Sequence, residues 1–186
     1  MVSRLGTLGH LNLATGYRGG ERQTELLIRE LAQRGWRQRL IVRKGKKLAA
    51  RLAGLANVEI RQVIGRPVAA GLALRGCGIA HIHEARTVYS GLMGRWFFGI
   101  PYVITRRVVA NQSWSPLRSR AYKDAAQMVA ISAAAADKLK VRHPGIEATV
   151  IADAHAEFPV NDAAVAEIRA ARPGTTLIGH IGALDH

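Results

Sequence analysis

Cysteine, acidic residues and long apolar runs are all scarce in this chain of 186 residues. The single cysteine, Cys77, cannot form an internal disulfide, so the fold must be stabilised by its hydrophobic core, as expected in a reducing compartment. No uncharged apolar stretch reaches the roughly 18 residues that a membrane-spanning helix needs, and the first residues lack the apolar segment of a signal peptide. The sequence therefore does not predict a secreted or a membrane-spanning protein.

The charge balance is strongly basic, with 27 basic and 13 acidic residues and a net charge of +14. Residues 1–123 hold 22 of the basic and only 5 of the acidic residues. Arginine outnumbers lysine by 21 to 6, and its forked guanidinium favours bidentate binding of phosphate or carboxylate. The composition predicts an anionic partner, which could be a nucleic acid, an anionic membrane or a phosphorylated substrate, although a bias of the genome towards arginine would explain part of the excess.

Short apolar segments alternate with amphipathic helical segments between residues 10 and 158. The predicted strands are residues 11–15, 39–42, 58–63, 79–83, 102–105, 127–131 and 149–152. Continuous apolar strands separated by helices are typical of a parallel sheet that is covered on both faces. We therefore predict the α/β class, with a Rossmann-like, doubly wound parallel sheet.

The predicted domain organisation has three parts: a leader at residues 1–9, the Rossmann-like domain at 10–158, and a final segment at 159–186. The final segment predicts a linker helix at 162–171 and a strand at 176–182. A lone strand cannot bury both of its faces. We expect it to be the first strand of a second, donor-binding domain that is truncated here.

Three segments follow predicted strands and so lie where α/β sheets bind their ligands. Residues 16–23 join a glycine-rich turn to the start of a helix, which suits an anion and equally suits a plain tight turn. His81 and His83 lie two residues apart on one face of a strand, with no evident third ligand, so we predict no metal site. His81 suits a hydrogen bond inside the sheet, and His83 is the better candidate for a functional site.

The third segment is the arginine pair Arg106 and Arg107, at the end of the fifth predicted strand. An unpaired charge is costly where a buried strand ends, so the pair needs either an anionic ligand or an internal carboxylate such as Glu84. The sequence contains no spaced dinucleotide-binding glycines, no P-loop and no nucleophile elbow, which argues against those classes of site.

Aromatic, apolar and basic residues alternate in residues 111–123. This pattern suits either a helix that lies on anionic lipid or an ordinary amphipathic surface helix. No nucleic-acid-binding module is recognisable. The alternating residues are Trp114, Leu117 and Tyr122 with Arg118, Arg120 and Lys123.

At these segments the sequence resembles the retaining glycosyltransferases of family 4, which have the two-domain GT-B architecture. The resemblance implies an N-terminal acceptor-binding domain of a bacterial enzyme that takes its sugar from a nucleotide-sugar donor and needs no other cofactor. Alone, such a domain would be inactive. The resemblance rests on five motifs in chain order: the Gly-Gly turn at 18–23, H-I-H-E at 81–84, G-I-P-Y-V-I-T-R-R at 99–107, V-A-I-S at 129–132 and I-G-H-I-G-A-L at 178–184.

The resemblance also implies roles for particular residues. His83 and Glu84 would be catalytic and would orient the acceptor hydroxyls. In this family the donor phosphate is thought to accept the acceptor's proton, so a separate base is not required. Two features depart from the family: the Arg106-Arg107 pair replaces a common histidine, and Asp153-Ala154 replaces an Asn-Gly turn. The residues implied to contact acceptor or donor are Arg18, Gly19, Gly20, Arg22, Arg86, Arg106, Arg107 and Ser132.

Double arginine resembles subgroups that act on phosphorylated cell-envelope sugars such as the lipopolysaccharide core. The expected partners are a nucleotide sugar held by the second domain, an anionic glycan or lipid-linked acceptor, and an anionic membrane surface, without nucleic acid. The expected location is the cytoplasm, at the inner face of the cytoplasmic membrane. Two other functions stay open: a non-catalytic module that binds polyanions or membranes, and a nucleotide-sugar epimerase of the same architecture.

Overall fold

The computed structural model describes residues 6–107, 115–155 and 160–179, which belong to two compact units, Met1–Ala154 and His155–His186. In the described part of the first unit, strands and helices alternate along the chain. The strands are β1 Thr7–Asn12, β2 Gln38–Arg43, β3 Val58–Val63, β4 Cys77–Ile82, β5 Tyr102–Arg106, β6 Gln127–Ala130 and β7 Ala148–Val150. The helices are α1 Gly19–Gln33, α2 Lys47–Leu52, α3 Pro67–Leu72, α4 Val88–Phe98, α5 Pro116–Lys123 and α6 Ala133–Arg142, with a 3₁₀ turn at Ala85–Thr87.

The strands form one parallel sheet in the order β3-β2-β1-β4-β5-β6-β7. The chain builds outward from β1 to β3, then crosses to the other side of β1 and builds outward again from β4 to β7. The strand order therefore reverses between β1 and β4, and ligands of doubly wound sheets bind beyond the carboxyl ends of the strands at such a point. The prediction of a Rossmann-like, doubly wound parallel sheet is confirmed.

Two hydrophobic cores cover the two faces of the sheet. The larger core packs α3, α4 and α5 against one face, with Leu11, Ile82 and Leu92 fully buried. The smaller core packs α1 and α2 against the other face through residues such as Ile28 and Leu40. Because neighbouring residues of a strand point to opposite faces, the residues next to Leu11 and Ile82 face α1. These neighbours include polar residues.

Local sequence signals explain where several helices begin and end. Ser115 and Ser132 cap α5 and α6, since their hydroxyl oxygens accept hydrogen bonds from Arg118 N and Ala135 N. Gly99 ends α4 in the left-handed conformation, with φ of 69°, which glycine adopts without strain. Because serine is a favoured N-cap residue, the sequence predicts a cap at Ser132, and the structure confirms it.

Three sequence expectations need correction. β1 begins at Thr7, so residues 7–9 belong to the strand rather than to a leader, and the strand ends at Asn12 rather than at residue 15. In the lipid-binding alternative for residues 111–123 Tyr122 would face the membrane, but it is 2% exposed and belongs to the core, which favours the ordinary amphipathic surface helix; Trp114 lies outside the described residues.

The second unit contains α7, Asp162–Ala170, which begins at the side-chain cap of Asn161 on Ala164 N. None of the residues of α7 is buried. Residues 176–179 form no strand, so this part of the strand predicted at 176–182 is wrong, and its remainder lies outside the described residues. That residues 159–186 begin a second domain stays a prediction.

Candidate functional site

The candidate site lies at the carboxyl edge of the sheet, around the reversal of strand order between β1 and β4. The turn after β1, the segment after β4 and the end of β5 all reach this edge. Each of the three segments singled out from the sequence therefore contributes to the same place. The structure brings Gly20, His83 and Arg107 together, with Glu84 directly after His83, while Arg106 and Arg22 make contacts elsewhere.

Arg107, which follows β5, contacts the segment after β4, the loop after β7 and the start of α1. Its Nη1 donates a hydrogen bond to the carbonyl oxygen of His83 at 3.3 Å, and its Nε lies 3.1 Å from Asp153 Oδ1. A Cβ atom at Gly20 would lie 3.7 Å from Arg107 Cδ, so α1 begins directly beside this side chain. The carboxylate partner of Arg107 is Asp153, after β7, and the suggested internal pair with Glu84 is wrong.

Glu84 takes part in a different contact. Its Oε1 accepts a hydrogen bond from the backbone N–H of Leu13, at 2.7 Å, which joins the segments that follow β4 and β1. Burial raises the pKa of Glu84, against the opposing effects of that hydrogen bond and of the nearby charge of Arg86. A carboxyl group with a raised pKa at a ligand-binding edge can hold or exchange a proton with a hydroxyl group.

Arg106 points away from Arg107, because it is the last residue of β5 and neighbouring side chains alternate between faces. It is 6% exposed, and its guanidinium carbon lies 5.8 Å from the centre of the Tyr122 ring of α5. The two arginines therefore do not converge on one anion.

The remaining predicted residues lie around the edge without forming one cluster. Gly19 is the first residue of α1, and the N–H of Arg18 donates to Glu21 Oε2 at 2.8 Å. Arg86 is exposed in the 3₁₀ turn. The Ser132 hydroxyl is the helix cap described above. Binding roles for these residues stay predictions.

Arg22 belongs to a buried ion-pair cluster around Glu25, which we call the Glu25 cluster. The Glu25 side chain is 1% exposed and pairs with Arg22, Arg29 and Arg51 at 3.5, 2.9 and 2.7 Å, and Tyr17 donates a hydrogen bond to it. Burial alone would raise the pKa of Glu25, but hydrogen bonds from Arg51, Tyr17 and Arg29 lower it to about 2. This cluster joins α1 to α2.

A second polar cluster, the histidine cluster, lies under α1 and consists of His10, His81 and His83. His10 and His81 are directly opposite each other on β1 and β4, and His10 Nδ1 lies 3.1 Å from His83 Nε2. His10 Nε2 lies 3.0 Å from Gln38 Oε1, and His81 Nε2 lies 2.7 Å from Thr105 Oγ1. The hydrogen bond predicted for His81 inside the sheet is confirmed.

The three imidazoles of the histidine cluster are held in their neutral forms by burial. His10 and His83 are 1% and 5% exposed. Burial lowers the pKa of His10 to about 4 and that of His81 to about 3, and it lowers the pKa of His83 well below its ordinary value, with further lowering from His81, His10 and Arg107. His83 is therefore a buried neutral ring, and its predicted catalytic role stays a prediction.

Sequence reasoning gave no role in a site to His10, Gln38, Thr105 or Glu25. The available signal was polarity inside segments that are otherwise apolar: a histidine within T-L-G-H-L-N and a threonine at the end of Y-V-I-T. Placing the first strand at 11–15 excluded His10 from it.

Comparison with protein-family models and with curated proteins gives no match for this chain. Among solved structures it is similar to HepE (Alr3699) of Anabaena in three complexes. The TM-score is 0.70 for the complex with UDP-glucose and 0.68 for that with UDP and glucose, each at 12% identity, and 0.65 for that with UDP, at 13% identity. Each match covers 89% of this chain and 49–50% of HepE, so the chain spans about half the length of those structures.

At this level of identity the similarity establishes the fold alone, a Rossmann-like, doubly wound parallel sheet. It does not distinguish family 4 from other families with that fold. No helix in the described part of the chain is both long and apolar enough to cross a membrane.

Proposed function

We propose that this chain is the acceptor-binding domain of a GT-B glycosyltransferase of family 4, which transfers a sugar with retention of configuration from a nucleotide sugar to an anionic envelope glycan or lipid-linked acceptor. The observation that carries the proposal is the shared fold, over 89% of this chain, with HepE, which was solved in complex with UDP-glucose. The nucleotide would be held by a second domain, as in the two-domain architecture that the sequence resembles. The place of action would be the cytoplasmic face of the membrane.

The carboxyl edge of the sheet supports this proposal through its chemistry. Glu84, with its raised pKa, is suited to orient an acceptor hydroxyl through a hydrogen bond. Arg86 is exposed beside it and would bind a phosphate or carboxylate of the acceptor. Arg107 holds the His83 carbonyl and Asp153 and so fixes the segment that carries Glu84. The first turn of α1 at Gly19 and Gly20 leaves room for an anionic group to approach the backbone.

Sugar transfer by the full-length protein that contains this chain tests the proposal. Radiolabelled UDP-glucose and other UDP-, GDP- and ADP-sugars would be offered with envelope lipid and glycan fractions, and the anomeric configuration of the product would be determined. Replacing Glu84 with Gln should lower kcat by about 100-fold or more, while the Kd of the donor stays unchanged. Glu30→Gln is the matched control, because Glu30 lies on the outer surface of α1.

The same experiment distinguishes sugar transfer from the two alternative functions, the epimerase and the non-catalytic module. Turnover of the donor into an epimer, without transfer, would support the epimerase. No turnover and no donor binding with any nucleotide sugar would contradict both enzymes.

A non-catalytic module for anionic membranes is favoured by one observation, the exposed Trp96 and Phe97 beside Arg95 at the end of α4. Salt-sensitive binding to anionic vesicles that is the same in the Glu84→Gln variant, in a protein that binds no donor, would support that module instead.

A further inference from the structure

The histidine cluster brings together three nitrogen ligands that lie far apart in the sequence. The register of β1 and β4 sets His10 opposite His81, and His83 follows two residues later on the same face. One nitrogen from each ring lies within 4.8 Å of the others. Among the described residues, this is the only such group of histidine, cysteine or acidic side chains. His10 is the third imidazole that the spacing of His81 and His83 alone did not reveal.

The hydrogen bonds around the cluster determine which nitrogen of His10 is free for a ligand. The side-chain N–H of Gln38 donates to the carbonyl oxygen of Ile28, at 3.0 Å, so the Gln38 oxygen faces His10. His10 Nε2 must then carry the proton that it donates to Gln38, and the lone pair of His10 is on Nδ1. This lone pair points at His83 Nε2, 3.1 Å away.

Contacts beyond the three rings resemble those that orient metal ligands. Histidine ligands usually donate their second N–H to a protein oxygen, which fixes both tautomer and ring orientation. His10 does so through Gln38, and the contact of His81 Nε2 with Thr105 Oγ1 allows the same for His81. A tetrahedral zinc site with Zn–N bonds of about 2.0–2.1 Å needs about 3.4 Å between its nitrogens, close to the separation of His10 and His83.

Hydrogen bonding within the described residues does not satisfy the cluster. If His83 Nε2 donates to His10 Nδ1, then His83 Nδ1 keeps a lone pair, and none of the described residues offers it a partner. The His83 side chain is 5% exposed, so the loss of contact with solvent is nearly complete. The described residues therefore leave the cluster one hydrogen-bond partner short, and a further group is needed to complete it.

The charges near the histidine cluster are compatible with a cation as the group that completes it. The neutral imidazole is the form that binds metals. Among the described residues, the charged side chain that acts on these rings is Arg107, and its ion pair with Asp153, at 3.1 Å, offsets its repulsion of a cation.

We propose that His10, His81 and His83 bind one zinc ion, which replaces the His10–His83 hydrogen bond and fixes the carboxyl ends of β1 and β4 beneath the candidate site. Three neutral nitrogens without a thiolate or carboxylate suit Zn²⁺ and, as a spectroscopic substitute, Co²⁺. Small rotations of the rings would bring the nitrogens from their spread of up to 4.8 Å to bonding distance. The proposal does not depend on which reaction the protein catalyses.

Metal content and cobalt spectroscopy of the full-length protein test the site. Untagged protein, purified without chelators, should contain about one zinc per chain, and Co²⁺ substituted into it should give visible absorption of a low-coordinate nitrogen site. The variants His10→Asn and His81→Asn should lose most of the metal and the cobalt absorption. His143→Asn is the matched control, because His143 is also buried, at 8% exposure, and lies outside the cluster. It should keep both.

Thermal unfolding gives a second reading that does not depend on activity. Zinc added to chelator-treated wild-type protein should raise Tm, since a ligand that binds only the folded state stabilises it. Circular dichroism would verify that each variant is folded, and the wild-type measurements stand even if a variant is not. Wild-type protein without stoichiometric zinc, cobalt absorption or a rise in Tm would overturn the proposal, as would equal metal content in the cluster variants and the control.

Discussion

Two polar clusters pack against α1, and they satisfy their buried groups by opposite means. The Glu25 cluster buries a charge and surrounds it with donors: both carboxylate oxygens are bound, by three arginines and a tyrosine. The histidine cluster keeps its groups neutral and leaves one ring nitrogen of His83 without a partner among the described residues. In the Glu25 cluster both carboxylate oxygens are paired, and neither is left for a ligand. In the histidine cluster one ring nitrogen has no partner among the described residues, so the cluster can accept a further group.

The largest effect that separates the two clusters is expected on removing the charge of Glu25. Glu25→Gln should lower the free energy of unfolding by about 3–5 kcal/mol, because it leaves the arginines without their buried counter-charge. Urea unfolding measures this, with Glu30→Gln as the control on the same helix. Glu30 and Arg34 form an exposed pair, 52% and 68% exposed, for which a loss of about 0–1 kcal/mol is expected. Equal losses in the two variants would contradict the assignment of Glu25 as a buried anchor.

The acid stability of the protein should depend on the same side chain. The pKa of Glu25 is about 2 in the folded protein and 4.5 ordinarily, so its stabilising effect is complete above pH 4.5 and is lost as the pH falls towards 2. One pKa unit corresponds to about 1.4 kcal/mol, so this loss is about 3 kcal/mol over that interval.

The stability difference between wild type and Glu25→Gln should therefore shrink as the pH is lowered from 5 to 2, as measured by urea unfolding at each pH. A difference that is constant over this interval would mean that Glu25 does not titrate with a lowered pKa.

The fold follows from signals that are local in the sequence. The continuous apolar strand around Ile104, the alternation of apolar and polar residues in β3 and the helical spacing in α1 all depend on residues a few positions apart. For this reason β3 was predicted with its observed ends, and the parallel sheet with its helices was predicted correctly. The capping role of Ser132 is equally local. The larger errors lie at β1 and at residues 176–179, while strands such as β4 and β7 differ from their predicted ends by one or two residues.

The candidate site could be predicted only in part, because its contacts depend on register. Gly20, His83, Glu84 and Arg107 follow strands, so their common edge was predictable. The contact of His10 with His83 spans 73 residues and exists because β1 and β4 pair in one particular register. The partner of Arg107 is Asp153 for a similar reason, since the loop after β7 reaches an arginine 46 residues away.

The smallest expected effect concerns Gln38, which fixes the tautomer of His10. Gln38 is 2% exposed, donates to Ile28 O and accepts from His10 Nε2, so Gln38→Leu would keep the approximate volume but leave His10 Nε2 unpaired and remove one of the hydrogen bonds to Ile28 O. The expected loss is about 1–3 kcal/mol in urea unfolding with chelator present. Gln127→Leu is the matched control, because Gln127 is also the first residue of a strand but is exposed, and about 0.5 kcal/mol or less is expected there.

The result for Gln38 bears directly on the difference between the clusters. If Gln38→Leu lowers the free energy of unfolding no more than Gln127→Leu does, the hydrogen bond from His10 to Gln38 does not fix the orientation of the His10 ring. His10 Nδ1 then need not carry the lone pair. The histidine cluster would then lack the outer contact that a metal ligand needs. A clear loss of stability in Gln38→Leu but not in Gln127→Leu would mean that Gln38 orients the His10 ring, as neighbouring residues orient the rings of metal-ligand histidines.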